Sequence, residues 1–284
     1  MKLKSFLRIT FISLLLTIAI SPLRGYASFQ VCSLIGFTVY FFFTLFCKHR
    51  YSKVLSRSLI LVAILLGLCL LEAPIRILTF TASLVSFPDF ILHFLGVIFG
   101  FLFANLKSPQ KWLTTTIGFA LTLFMFFDGY DLWLHKLNFG TFTGKVSYAL
   151  PAKFEAFDQG KNLVTDQDFA NKVVLLDFWT TSCGVCFRKF PQLQKFHEKH
   201  KDDAAMRILA VDTPLEDDKE GDAFAIKEQG HTFPVVITKE ANLAEQFGVK
   251  GYPTTFVIDR QGKVVYRGDI AGATKLAEEL LKTS

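Results

Sequence analysis

Val173-Val174-Leu175-Leu176-Asp177-Phe178-Trp179-Thr180-Thr181-Ser182-Cys183-Gly184-Val185-Cys186 is an apolar run that ends in a turn and a closely spaced pair of cysteines. Behind it comes Phe187-Arg188-Lys189-Phe190-Pro191-Gln192-Leu193-Gln194-Lys195-Phe196, whose aromatic and aliphatic residues recur at helical spacing. The pattern predicts a buried strand that delivers a dithiol to a helix N-terminus. Unpaired N–H groups and the positive end of the helix dipole favour a thiolate at Cys183 there, and the thiolate is the species that attacks disulfides. The chain has 5 cysteines, too few and too scattered for a disulfide scaffold, and Cys32, Cys47 and Cys69 lie in apolar segments as small hydrophobes. Only Cys183 and Cys186 form a motif, and that motif implies redox chemistry.

Working outward, the 284 residues accommodate two domains of unlike composition. Hydrophobic residues make up 51% of the chain, with 32 Phe, yet 20% of residues are charged, so apolar and charged material must be segregated. Through His135 there are 11 Lys and Arg against 4 Asp and Glu, whereas residues 136–284 hold 20 against 21. The formal charge of +6 therefore belongs to the first half. A nucleic-acid-binding domain shows a basic face. The second half is close to neutral, which excludes nucleic acid as a partner.

Residues 1–135 read as a polytopic α-helical membrane region with five predicted spans, at about residues 9–20, 29–47, 58–71, 90–106 and 112–127. The first follows Lys2, Lys4 and Arg8 and precedes Gly25-Tyr26-Ala27, a pattern suited to signal-peptide cleavage after Ala27. Because more spans follow at once, retention is preferred. With the N-terminus inside, Lys2, Lys4, Arg8, Lys48, Arg50, Lys53, Arg57, Lys107 and Lys111 lie on the cytoplasmic side, and only Arg24 and Arg76 lie outside. That bias predicts a multi-pass membrane protein. Everything after Asp128 then faces the periplasm or its equivalent, where disulfides persist. Glu72, Asp89, Asp128 and Asp131 fall at outer boundaries and are expected to be solvated surface groups. His93 lies inside a span, where an ionisable group is a functional candidate, but satisfaction by a neighbouring helix is the simpler expectation. A Cys32–Cys69 electron relay is weighed and set aside, because neither residue has a helix N-terminus or cationic neighbour to activate it.

Residues 136–150 contain Gly and Thr without a periodic face and are expected to be a tether. From Pro151 the pattern predicts a short hairpin over 154–161, a capped turn at 165–170, strands at 173–179, 206–211 and 235–238, a dithiol helix running to about His200, and helical segments at 222–229 and Asn242–Phe247. Tyr252–Asp259 and Lys263–Gly268 form a hairpin through Arg260-Gln261-Gly262, and a last amphipathic helix covers Thr274–Lys282. Strands alternating with helices predict an α/β domain over residues 151–284, with a mixed central sheet and helices on both faces.

The ordered set Asp177-Phe178-Trp179, Cys183-Gly184-Val185-Cys186, Pro191 and Gly251-Tyr252-Pro253-Thr254-Thr255 resembles the thioredoxin fold. Lys153-Phe154 through Gly160-Lys161, together with the extra helix and strand of Asp222–Thr238, resembles its membrane-tethered TlpA/ResA branch. The likeness covers about residues 150–284; the first half shows no comparably specific one. It implies that Cys183 attacks and Cys186 resolves. Pro253 is implied to be the cis-proline beside the dithiol, where the Tyr252 backbone pairs with an extended substrate segment. Asp177 is implied to be the buried carboxylate that relays a proton to the resolving thiol, and burial should raise its pKa. Trp179, grouped with Tyr252 and Pro253 at the substrate surface, is expected to be a packing wall rather than a chemical participant. Many relatives have Trp before the first cysteine and Pro before the second. Here Ser182 and Val185 take those places and retune the thiol, which leaves the direction of electron flow open.

Other chemistries fit worse. Phe187 rather than His follows Cys186, which rules out c-type haem attachment, and His197 and His200 share a helix face without a third ligand, so no metal is expected. The expected function is a membrane-anchored extracytoplasmic thiol-disulfide oxidoreductase that reduces disulfides of exported proteins, with no cofactor beyond its dithiol. Its expected partners are those proteins, a membrane electron donor and the lipid bilayer. The same parts run backwards as an oxidase. The spans exceed what tethering needs, which motivates an alternative: a redox-sensing or substrate-docking module that regulates its own membrane domain.

Overall fold

Helices fill the first part of the chain because its long apolar runs are interrupted only by short polar or glycine- and proline-containing turns. The computed structural model describes residues 1–215, 218, 222–239 and 243–283. Its helices are α1 Lys2–Ile20, α2 Leu23–Tyr26, α3 Phe29–Tyr51, α4 Arg57–Leu78, α5 Phe80–Ser83, α6 Phe87–Asn105, α7 Gln110–Phe124 and α8 Tyr130–Phe139. Ser28 and Ser56 start α3 and α4 by accepting the N–H of Val31 and Leu59. Lys2–Tyr26, Phe29–Tyr51, Arg57–Leu78, Phe80–Asn105 and Gln110–Phe139 are long and apolar enough to cross a membrane. They are longer than the apolar windows of the sequence because the helices run on into flanking polar residues such as Lys2, Lys48 and Arg57. The chain divides into two units, Met1–Leu134 and His135–Ser284.

In the first unit α3 and α6 pack closely: a Cβ at Gly96 would strike the Phe37 carbonyl, and one at Gly36 would enter the His93 ring. Two of the expected surface acids are instead buried. Glu72 is 6% exposed and Asp89 0%, and both pair with arginines. Arg24 reaches Glu72 at 2.9 Å and Asp89 at 2.5 Å, and Arg76 reaches Glu72 at 2.9 Å and Asp89 at 3.5 Å. The residues come from α2, α4 and α6, and a buried carboxylate persists when paired and hydrogen-bonded. His93 Nε2 lies 3.2 Å from the Cys32 carbonyl oxygen on a neighbouring helix. Cys32, Asp89 and His93 are the one grouping of metal-ligating side chains among the described residues. Two guanidinium groups on the Asp89 oxygens oppose a cation there.

The second unit is built on one eight-stranded sheet. Its strands are β1 Lys145–Ala149, β2 Glu155–Phe157, β3 Leu163–Thr165, β4 Val173–Trp179, β5 Met206–Asp212, β6 Val235–Thr238, β7 Thr254–Ile258 and β8 Lys263–Gly268, in the order β1-β8-β7-β4-β5-β6-β2-β3. β4 pairs parallel with β5 and antiparallel with β7, so it lies inside the sheet and is buried along its whole length. The remaining helices are α9 Gly184–His200, α10 Leu243–Gln246 and α11 Ile270–Lys282. Phe190, Leu193 and Phe196 of α9 and Ala273 and Ala277 of α11 pack on one face with Leu175 and Trp179; Leu243 and Ala244 of α10 and Phe247 just after it pack on the other with Phe178 and Phe256.

The structure corrects the tether. Within 136–150, the first residues extend α8 to Phe139, and Lys145–Ala149 is a sheet strand paired antiparallel with β8. The last helix begins at Ile270 rather than Thr274, because the Asp269 carboxylate accepts the Gly272 N–H and caps it. The expected start of a helix at Asn242 lies outside the described residues.

Removing one partner of the buried ion quartet strands a charge. Arg24→Ala should therefore cost about 3 kcal/mol, read as a lower thermal midpoint of the full-length protein in detergent. Arg24→Met combined with Asp89→Leu should recover most of the loss. An Arg24→Ala protein that melts with the wild type would show that the quartet contributes nothing.

Candidate active site

The site begins where β4 stops. The Cys183 N–H donates to the Thr180 carbonyl at 3.1 Å, closing a turn, and α9 starts at the next residue with Cys183 as its N-cap. The Cys183 Sγ accepts the Cys186 N–H at 3.1 Å, a donor it shares with the Cys183 carbonyl at 2.9 Å, so an N–H of the first helical turn points at the sulfur. Cys183 and Cys186 are joined as a disulfide. Their surroundings differ: Cys186 is 0% exposed, whereas Cys183 is only partly buried. Cys183 is thus the more accessible of the pair, while Cys186 is closed to a second molecule. In the reduced state the donors and dipole at the N-cap stabilise negative charge on that same atom.

Asp177 lies on β4 two positions before Trp179, and strand alternation puts Leu175, Asp177 and Trp179 on the face covered by α9. It is 2% exposed, and its Oδ1 accepts the Thr255 hydroxyl at 2.7 Å. Burial pushes its carboxyl from 3.8 up to about 6, with the Thr255 hydrogen bond opposing the rise. Trp179 is fully buried, edge-on to Phe190 at 5.0 Å and Phe187 at 5.9 Å. It packs the dithiol helix onto the sheet.

The Tyr252–Pro253 peptide is cis, and the next residue holds the turn by donating its Thr254 hydroxyl to the Gly251 carbonyl at 2.7 Å. Tyr252 and Pro253 line a groove of about 370 Å³ together with Val185 of the dithiol turn. Residues 68 positions apart along the chain thus share one surface beside the cysteines.

One group escaped the sequence reading. Asp212 ends β5 in register with Trp179 and is 2% exposed. Burial, and then the neighbouring Asp218, push its carboxyl up to about 7. Its Oδ1, the Trp179 Nε1 and the Thr213 Oγ1 have no hydrogen-bond partner among the described residues. The signal was an acidic residue directly continuing the apolar run Ile208–Val211.

The Redoxin family model matches residues 145–279. A protein named thiol-disulfide oxidoreductase ResA from Geobacillus thermodenitrificans is 35% identical over 162 residues, covering 56% of this chain and 87% of its own. The chain belongs to the ResA family of thiol-disulfide oxidoreductases. A ResA of the same name from Bacillus thuringiensis subsp. konkukian is 34% identical over 116 residues, 41% of this chain; the match spans 65% of that relative's length. The thioredoxin domain of a thiol-disulfide oxidoreductase from Bacteroides vulgatus is 24% identical, with a TM-score of 0.42, over 48% of this chain and 98% of that structure. All these matches fall short of the whole chain.

Asp177 also sets a pH dependence. A carboxyl raised from 3.8 to about 6 is protonated in both folded and unfolded states below pH 3.8, so it costs nothing there. The cost of burying its charge grows through that interval and is complete above pH 6. Asp177→Asn should therefore stabilise the oxidised protein at pH 8 by about 3 kcal/mol. The gain should shrink to about 0.5 kcal/mol at pH 4, with urea unfolding at the two pH values as the check.

Proposed function

We propose that this chain is a membrane-anchored thiol-disulfide oxidoreductase that reduces disulfides of exported proteins on the extracytoplasmic side. The observation that carries the reading is the unequal exposure of two bonded sulfurs at a helix N-cap, with Cys183 reachable and Cys186 buried. In the reduced enzyme the Cys183 thiolate attacks one sulfur of the substrate disulfide. A mixed disulfide forms, and the substrate's other sulfur leaves as a thiolate and takes up a proton. The Cys186 thiol then gives its proton to the Asp177 carboxylate and attacks the Cys183 sulfur. The mixed disulfide breaks, the second substrate thiolate leaves, and Asp177 returns the proton. Two electrons pass to the substrate and the enzyme ends as the Cys183–Cys186 disulfide. Tyr252 and Pro253 hold the substrate segment, and Trp179 keeps the dithiol helix in place.

The dithiol is the only redox group this scheme uses. A membrane electron donor restores it, and the bilayer holds the chain. Orientation follows from the cytoplasmic bias of Lys and Arg near span ends. The pairing of Arg24 and Arg76 with Glu72 and Asp89 supports that reading, because the cations assigned to the outer side are neutralised within the protein.

A Cys186→Ser variant expressed in cells should accumulate exported proteins as mixed disulfides on Cys183, resolved by non-reducing gels, and adding Cys183→Ser should remove them. A thiol reagent that cannot cross membranes should label Cys183 of the Cys186→Ser variant in intact spheroplasts. Absence of both adducts and label would overturn the proposal. Wild-type Cys183 and Cys186 should be mostly reduced in cells if electrons flow to substrates.

A further inference from the structure

The groove beside the dithiol carries a chemical preference. Its wall includes Val185, which is 45% exposed on the dithiol turn, and the apolar side chains of Phe139, Tyr252 and Ile270. Its free charges are cationic. Lys189 and Lys250 line it from α9 and from the loop before Pro253, both are exposed, and neither forms an ion pair or hydrogen bond among the described residues. Arg188 does not line the groove, but its Nη1 lies over the open side of Gly184 in the dithiol motif. The acid in the lining, Asp269, spends its Oδ1 on the Gly272 N–H at the start of α11. Residues 136–284 are close to neutral as a whole, with 20 Lys and Arg against 21 Asp and Glu, so cations around the dithiol are a local arrangement.

We propose that this groove selects an extended substrate segment that places an apolar side chain near its cystine sulfur and carries Asp or Glu on the flanks. The inference rests on the oxidoreductase reading and adds the substrate class. Unpaired lysines rimming an apolar patch attract carboxylates at encounter, and the apolar floor then removes a side chain from water. The backbone beside Pro253 gives the segment an extended edge to follow. A segment flanked by Lys or Arg meets like charge on both sides of the groove and is disfavoured.

The test uses the full-length reduced protein in phosphatidylcholine nanodiscs, whose lipid headgroups carry no net charge. Two synthetic peptide disulfides share one apolar residue beside the cystine and differ only in acidic or basic flanks. The acidic peptide should be reduced roughly tenfold faster at low salt, and the ratio should fall towards one in about 0.5 M salt. Lys189→Glu with Lys250→Glu should invert the ratio. Equal rates in the wild type, or a preference that the double variant keeps, would overturn the inference. Hydroxyethyl disulfide separates the two levels of the argument. If the wild type reduces it but does not discriminate between the peptides, substrate selection fails alone; if it reduces no disulfide at all, the oxidoreductase reading fails with it.

Discussion

The chemistry hangs on the burial of β4. A strand with neighbours on both sides and a hydrophobic core on each face has no freedom to slide, since a shift of one residue would turn its apolar set inside out. Its C-terminal end is therefore a fixed point, and the turn Thr180–Cys183 transfers that fixity to the first residue before α9. The same burial acts on Asp177. A carboxylate in a strand packed on both faces has little water to stabilise its charge, and one hydroxyl from Thr255 compensates only in part. Position and proton affinity at the site share a cause.

The two units solve the problem of buried polarity differently. In the second unit single carboxyls are held near apolar surface with few partners, which raises their proton affinity. In the first unit charge is buried in a closed set of two arginines and two carboxylates, each acid touching both bases. Such a set satisfies itself without water and suits a bundle whose outer surface is apolar.

Local patterns made most of the second unit legible. The apolar run of β4, the helical spacing behind the cysteines and the hairpin around Gly262 are each short-range signals, and the structure has strands and a helix at those places. What escaped is long-range. Lys145–Ala149 puts only Val146 and Tyr148 on an apolar face, too short a signal to stand out until the open edge of β8 pairs with it. Glu72 and Asp89 look like boundary acids until α2, α4 and α6 come together with Arg24 and Arg76. Asp212 reads as the polar end of a strand, and its burial emerges only once β5 is paired with β4, where it stands in register with Trp179. The cysteines are bonded in the structure, and Val185 and Pro253 share a groove; that juxtaposition is invisible to spacing because 68 residues separate them.

The depth difference between the two sulfurs has a kinetic consequence. Whatever oxidises this dithiol and whatever reduces it must meet the same atom, because the buried sulfur offers no second entrance. On the proposed function donor and acceptor could not be bound productively together, so turnover would alternate between them in a double-displacement cycle. Each would occupy the surface only after the other had left. On the proposed function a single doorway would also make the two partners resemble one another: a donor docking over Cys183 would have to suit the same groove as the substrate.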